Sequence, residues 1–200
     1  LYSTGFELQT TTAGVEWDTA TNGVSISTTT KRSGAASLRI NPTANNNLYI
    51  TQSLPAMTDG SIYYIRFYLY IASAPTTDIF TSFLYTSSYY YPGIILTTDR
   101  KLQLIDMRSD PDVQLGPDSS ILELNTWYNV EYGCRWDDNY TEARLNGTTF
   151  ATGTALGCAG DKFDLITYSS AGSVTADIYF DDIAVNNNSG SYQNSWPGGG

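Results

Sequence analysis

The residues with the clearest chemical potential stand in residues 177–185, which read Asp-Ile-Tyr-Phe-Asp-Asp-Ile-Ala-Val. Asp181 and Asp182 lie side by side in an otherwise strand-like run. A buried carboxylate has to be neutralised, paired or bound to a metal, because bare charge is costly in a low-dielectric interior. Their counterpart is expected near the opposite end of the chain, at Glu7. A second set is Tyr64, Arg66, Tyr68 and Tyr70, which alternate along residues 62–71 and so share one face of a strand of period two. Rings beside a cation suit a sugar, since tyrosine stacks on the apolar side of a pyranose while neighbouring polar groups take its hydroxyls. Tyr85, Tyr89, Tyr90 and Tyr91 add rings at a sheet edge or loop, and Tyr85 and Tyr90 join the candidate glycan site.

What is missing narrows the chemistry. The 200 residues include no histidine, which removes Ser-His and Cys-His pairs, the common zinc sites and the usual general base of many hydrolases and lyases. Cys134 and Cys158 are too far apart for a zinc knuckle or a Cys-x-x-C pair, so they either form one disulfide or stand as small buried apolar residues. A net charge of −10, with 10 scattered Lys and Arg, argues against nucleic acid and anionic membranes as partners. No apolar run approaches the ~18 residues of a membrane span, so no membrane insertion is expected. With 41% hydrophobic and 14% aromatic residues the chain can bury a substantial core, and one domain is expected. Opening at Leu1 in strand-like sequence, without a signal peptide, it is expected to be a processed product or an excised fragment.

The elements that must position these residues read as strands. Apolar positions rarely recur at helical spacing, whereas alternation and β-branched or aromatic runs dominate, so the fold class is all-β with little helix. Strands are expected at 5–8, 14–17, 23–27, 35–40, 48–52 and, the longest, 62–71. A meander follows through 79–85, 93–97 and 101–107, interrupted at 87–93, and then an acidic loop at 106–118. Strands at 127–132 and 141–145 precede Asn146-Gly147, a pair that suits a type I′ hairpin turn, and 163–168 and 177–185 close the fold. Residues 1–186 are expected to form the domain and 187–200, rich in Asn, Ser, Gly and Pro, a tail or linker.

In this order, Gly5-Phe6-Glu7, Gly34-Ala35-Ala36-Ser37-Leu38-Arg39-Ile40, Asn125-Thr126-Trp127-Tyr128, Leu145-Asn146-Gly147 and Phe180-Asp181-Asp182-Ile183 resemble the concanavalin A-like jelly-roll superfamily. Within it the pattern is similar to the laminin-G-like and family 4/9 carbohydrate-binding-module groups. The resemblance covers nearly the whole chain and implies a two-sheet antiparallel jelly-roll sandwich, one sheet concave, with first and last strands adjacent. It also implies a structural calcium where the termini meet, held by Glu7, by Asp181 or Asp182, and by the turn around Ser33. Calcium takes roughly six to eight hard oxygen ligands and tolerates such a mixed set. The alternative is that the two aspartates face solvent or pair with Arg32 or Arg39.

The same resemblance speaks to catalysis. Hydrolases of this superfamily present Glu-x-Asp-x-x-Glu on one strand, and no such run occurs here; Glu123 and Glu131 each lack a second acid at strand spacing. The related polysaccharide lyases use Gln-x-His with Tyr and Arg, of which Tyr64, Arg66 and Tyr68 resemble only the second half. The sequence therefore reads as a non-catalytic carbohydrate-binding or adhesion module, extracellular or on a particle or cell surface, with a polysaccharide or cell-surface glycan as partner. The alternative is a structural or decoration protein of a virion or cell-surface assembly that contacts neighbouring subunits. A polysaccharide lyase or glycoside hydrolase relative comes third.

Overall fold

The computed structural model describes residues 2–45, 47–189 and 195–197, which form strands and no helix. In chain order these are β1 (Tyr2–Thr4), β2 (Thr19–Ala20), β3 (Val24–Ser27), β4 (Ser37–Ile40), β5 (Thr43–Asn45), β6 (Leu48–Ser53), β7 (Ile62–Ser73), β8 (Ile79–Tyr85) and β9 (Tyr90–Leu96). They continue as β10 (Leu102–Asp106), β11 (Val113–Gln114), β12 (Trp127–Arg135), β13 (Tyr140–Leu145), β14 (Thr148–Thr154), β15 (Lys162–Tyr168), β16 (Val174–Thr175) and β17 (Asp177–Asn187). An eight-stranded sheet runs β14-β13-β12-β7-β17-β4-β3, with β1 added to β17, and a seven-stranded sheet runs β11-β10-β9-β8-β15-β6-β2. Within these two sheets every strand pairing is antiparallel, and they form a jelly-roll sandwich in which the first and last strands are neighbours.

Strand alternation builds the core. Along β7, Tyr63, Ile65, Phe67, Leu69 and Ile71 are buried while the residues between them are half-buried. That inner row joins Leu84, Ile94, Leu96, Leu102, Leu104, Phe163 and Leu165 of the other sheet in one cluster. Each such side chain contributes ~1.5–3 kcal/mol by leaving water. The Tyr132 and Ser82 hydroxyls lie 3.0 Å apart inside this core, a buried polar contact that links the two sheets. Asn146 (φ 52°) and Gly147 (φ 78°) take the paired left-handed conformation that a type I′ turn between β13 and β14 needs.

Several expectations are corrected. Residues 5–8 turn rather than extend: Phe6 adopts φ 59°, which buries its ring against Trp17 at 4.8 Å, and the first strand is β1. Residues 14–17 give only a bridge between Ala13 and Trp17. The expected interruption at 87–93 is partly strand, because Tyr90, Tyr91 and Pro92 belong to β9. β14 and the short β11 inside the acidic loop are additional. Cys134 and Cys158, whose state the sequence leaves open, are joined by a disulfide. β17 continues through Asn187; of the expected tail, 190–194 and 198–200 lie outside the described residues.

Candidate functional site

The junction of the termini gathers Glu7, Ser33, Asp181 and Asp182. A register shift in β17 after Asp181, with Asp182 at φ 46°, turns the two aspartates out of regular pleat and toward the turn at residues 31–35. Asp181 is fully buried, and its carboxylate accepts from the backbone N–H groups of Arg32 (2.8 Å), Ser33 (3.3 Å) and Asp182 (2.8 Å). Burial raises its pKa, and those amides oppose the shift. Glu7 accepts from Ala35 N–H at 2.8 Å. Asp182 accepts from the Ser33 hydroxyl and forms an ion pair with Arg32, whose guanidinium also lies 3.6 Å from the Tyr68 ring centroid. Arg39 pairs instead with Asp177 at 2.8 Å.

One oxygen of each carboxylate points to a common spot beside Gly5. A Cβ placed there would meet Glu7 Oε1 at 3.2 Å, Asp182 Oδ1 at 3.4 Å and Asp181 Oδ1 at 3.8 Å. Three carboxylates against one guanidinium make a donor set that fits a hard divalent cation in composition. They are not drawn into a single coordination sphere, because among the described residues no three acidic, His or Cys side chains stand at joint ligand distance.

Tyr64, Tyr68 and Tyr70 of β7 point away from the core, and each has another side chain against its ring. Tyr64 lies 5.0 Å from Trp196, Tyr68 lies under Arg32, and Tyr70 packs against Trp127 at 5.2 Å and Tyr179 at 5.6 Å. Arg66 donates to the Pro197 carbonyl at 3.0 Å, and its buried Nε has no hydrogen-bond partner. Glu131 is buried opposite Arg66 and Arg144; burial raises its pKa, and the two guanidiniums oppose the rise. It serves an internal charge network beneath Trp196, which itself lies 4.1 Å from Arg144.

Tyr85 and Tyr90 are not part of that row. They belong to the seven-stranded sheet, on the face opposite the sandwich core, where Phe80, Phe83, Ile105 and Ile166 form a separate buried cluster with Tyr49, Tyr85, Ile95, Met107 and Tyr168. The rings make a continuous path: Tyr168 stacks on Phe80 at 6.1 Å, Phe80 meets Phe83 at 6.2 Å, and Phe83 meets Tyr90 at 5.2 Å and Tyr85 at 5.9 Å. A cavity of about 210 Å³ opens there, lined by Asn47, Phe83, Tyr85, Tyr90, Met107, Asp164, Ile166 and Tyr168.

Asp164 is the charged group of this cavity. It is 6% exposed, pairs in register with Thr51 on one side and Phe83 on the other, and accepts from the Thr51 hydroxyl at 2.6 Å. Burial pushes its pKa up to about 6, against the stabilising effect of the Thr51 and Tyr85 hydroxyls. Burial also raises the Tyr85 pKa, and the Tyr85 hydroxyl donates to Thr51 at 3.3 Å. Asp164, Phe83, Tyr49 and Tyr168 escape the sequence reading. The available signals are an acid alternating with Lys162, Ile166 and Tyr168 along residues 162–168, and a run at 79–85 that is apolar on both faces.

The fold and this geometry define the chain as a jelly-roll β-sandwich with aromatic side chains on both outward faces. No protein-family model matches the sequence, and no curated protein is significantly similar to it. Among solved structures it is similar to the cellulose-induced protein Cip1, with TM-score 0.71 and 16% identity over 100% of each chain. It is also similar to the alginate lyase AlyC3 (TM-score 0.57, 8% identity, 76% of this chain and 75% of that one). The carbohydrate-binding module CBM66 from Bacillus subtilis matches with TM-score 0.52 and 10% identity over 82% of this chain and 94% of that one. At these identities the likeness establishes the fold.

Proposed function

We propose that the chain is a non-catalytic carbohydrate-binding module and that its sugar site is the aromatic cavity on the outward face of the seven-stranded sheet. The observation that carries this reading is the juxtaposition of Tyr85, Tyr90, Phe83 and Tyr168 with Asp164 in one cavity. Ring faces match the C–H side of a pyranose, and a carboxylate or amide matches its hydroxyls. Similarity to a carbohydrate-binding module and to an alginate lyase is consistent with a glycan partner. The β7 row, though richer in tyrosine by sequence, has Arg32, Trp127, Tyr179 and Trp196 against it, and a cavity beside Tyr64 and Trp196 is lined by Arg135 and Glu142 rather than by a bed of rings.

Catalysis is not favoured. Hydrolysis with two carboxylates needs a second acid facing the first, and among the described residues Asp164 is the only acid lining the cavity. Elimination from a uronate needs a cation at the sugar carboxylate, and among the described residues no Lys or Arg lines the cavity. Glycan affinity gels with the wild type and with Tyr85→Ala and Tyr168→Ala test the reading: retention should be lost in both variants, and unchanged retention in both would remove the site. Large homotypic assemblies that form regardless of glycan would instead favour the structural or decoration role.

A structural calcium at the terminal junction is the second part of the proposal, supported by the convergence of Glu7, Asp181 and Asp182 beside Gly5. Bound there, the ion would tie the turn before β4 to β17 and the segment after β1, with the turn around Ser33 completing the shell. The Cys134–Cys158 disulfide suits an oxidising compartment and supports an extracellular or particle-surface location.

A further inference from the structure

We infer that the cavity on the seven-stranded sheet selects a sugar that carries no negative charge, with Asp164 accepting a hydrogen bond from one of its hydroxyls. The inference rests on the proposed glycan role of that cavity and assigns it a ligand class. Three observations carry it. Among the described residues that line the cavity, Asp164 is the only carboxyl and none is Lys or Arg. Lys162, on the same face of β15, lies outside the lining with its Nζ 5.7 Å from the Tyr85 ring centroid, and its charge acts on Asp164 and offsets part of the carboxylate's field. The remaining wall is Phe83, Tyr85, Tyr90, Met107, Ile166 and Tyr168, with Asn47 as the other polar group.

A sugar carboxylate entering this wall would meet a like charge in a partly desolvated site, where the repulsion is several times that in water. The chain's net charge of −10 adds a long-range penalty for any polyanion. A hydroxyl meets the opposite situation. Asp164 receives the Thr51 hydroxyl at 2.6 Å, and that hydroxyl in turn receives Tyr85, so the carboxylate is held in place for a further donor. The cavity volume of about 210 Å³ lies below the ~300–1,000 Å³ of sites for drug-sized ligands, which fits one ring of a chain rather than several. An amino sugar meets the same criterion as an uncharged one, since its cation would face Asp164.

The test uses the full chain and four hexasaccharide probes in isothermal titration: a neutral β-glucan, a neutral β-mannan, an amino-sugar chitosan and an anionic galacturonan. A neutral or amino probe should bind, and the galacturonan should bind ~100-fold more weakly or not at all. Asp164→Asn, which removes the charge and keeps the shape, should weaken the preferred probe ~10-fold and shrink the gap to galacturonan. Galacturonan binding as tightly as the neutral probes, or an Asp164→Asn variant with unaltered preferences, overturns the inference; if Tyr85→Ala still abolishes binding in that case, the cavity remains the sugar site. A preferred probe that Tyr85→Ala binds as well as the wild type removes the cavity itself and the inference with it. Failure to bind all four probes overturns both.

Discussion

Thr51 and Asp164 face each other across β6 and β15, hydroxyl to carboxylate at 2.6 Å, on the face of the sheet turned away from the core. The Thr51 and Tyr85 hydroxyls together with the charge of Lys162 do not offset the burial of this carboxylate. Asp164 therefore carries a pKa pushed up to about 6 from 3.8, and the position works against stability at neutral pH. Such groups gather where a protein keeps a polar handle for a ligand.

The sign of the pH effect follows directly. Because the folded-state pKa lies above the unfolded value, the fold favours the neutral acid: the contribution to stability is fully present below about pH 3.8 and is lost as pH rises through about 6. Asp164→Asn should therefore change stability little at pH 4 and raise it by on the order of 2–3 kcal/mol at pH 8, read by urea denaturation. A variant no more stable than the wild type at pH 8 would show that the carboxylate is better solvated than its burial indicates.

Gly34 tests the packing of the terminal junction. A Cβ at this position would lie 1.6 Å from Glu7 Oε1, on a backbone at φ +57°, so Gly34→Ala should displace Glu7 and lower stability by ~1–3 kcal/mol. Thermal melts of Gly34→Ala and of the double variant with Glu7→Ala separate the terms. The clash component should vanish in the double variant, leaving the backbone strain.

Chelation addresses the calcium proposal. EDTA should lower the melting temperature of the wild type, and added Ca²⁺ should restore it. Asp181→Asn and Glu7→Gln should each remove the chelator effect. A wild type whose melting temperature is indifferent to EDTA and Ca²⁺ means that Arg32 and the Ser33 hydroxyl suffice for Asp182 and that backbone amides suffice for Asp181.

The disulfide closes a sequence separation of 24 residues between β12 and the loop before β15. Replacing both Cys134 and Cys158 with alanine should reduce stability by ~3 kcal/mol through the greater freedom of the unfolded chain. Equal midpoints for the wild type with and without reductant would contradict this.

How much of this was open to sequence reading depends on what neighbours each strand. The two-residue alternation of β7 and the Asn146-Gly147 turn are local features, and both read correctly. The adjacency of β1 and β17, and the meeting of Glu7, Ser33, Asp181 and Asp182, came through family resemblance rather than periodicity. On β7, alternation identifies an outward row but not what lies over it. Tyr68 is covered by Arg32, distant in sequence, and Tyr64 by Trp196 from beyond the last strand. On the other sheet, β8 is apolar on both faces, so no period marks Phe83 and Tyr85 as cavity walls. Tyr85 and Tyr90 were legible as ring donors, but only the topology shows that they share a face with Asp164 and not with Tyr68.

The most direct measurement compares Tyr85→Ala with Tyr68→Ala against one glycan that the wild type retains on an affinity gel, with both variants shown to fold by thermal melting. Loss of one stacking ring should weaken binding ~10-fold or more in Tyr85→Ala. Tyr68→Ala should keep wild-type affinity and lose only the ~1 kcal/mol of stability associated with its contact to Arg32. The opposite pattern, with binding lost in Tyr68→Ala and intact in Tyr85→Ala, would contradict the account and return the site to the β7 face.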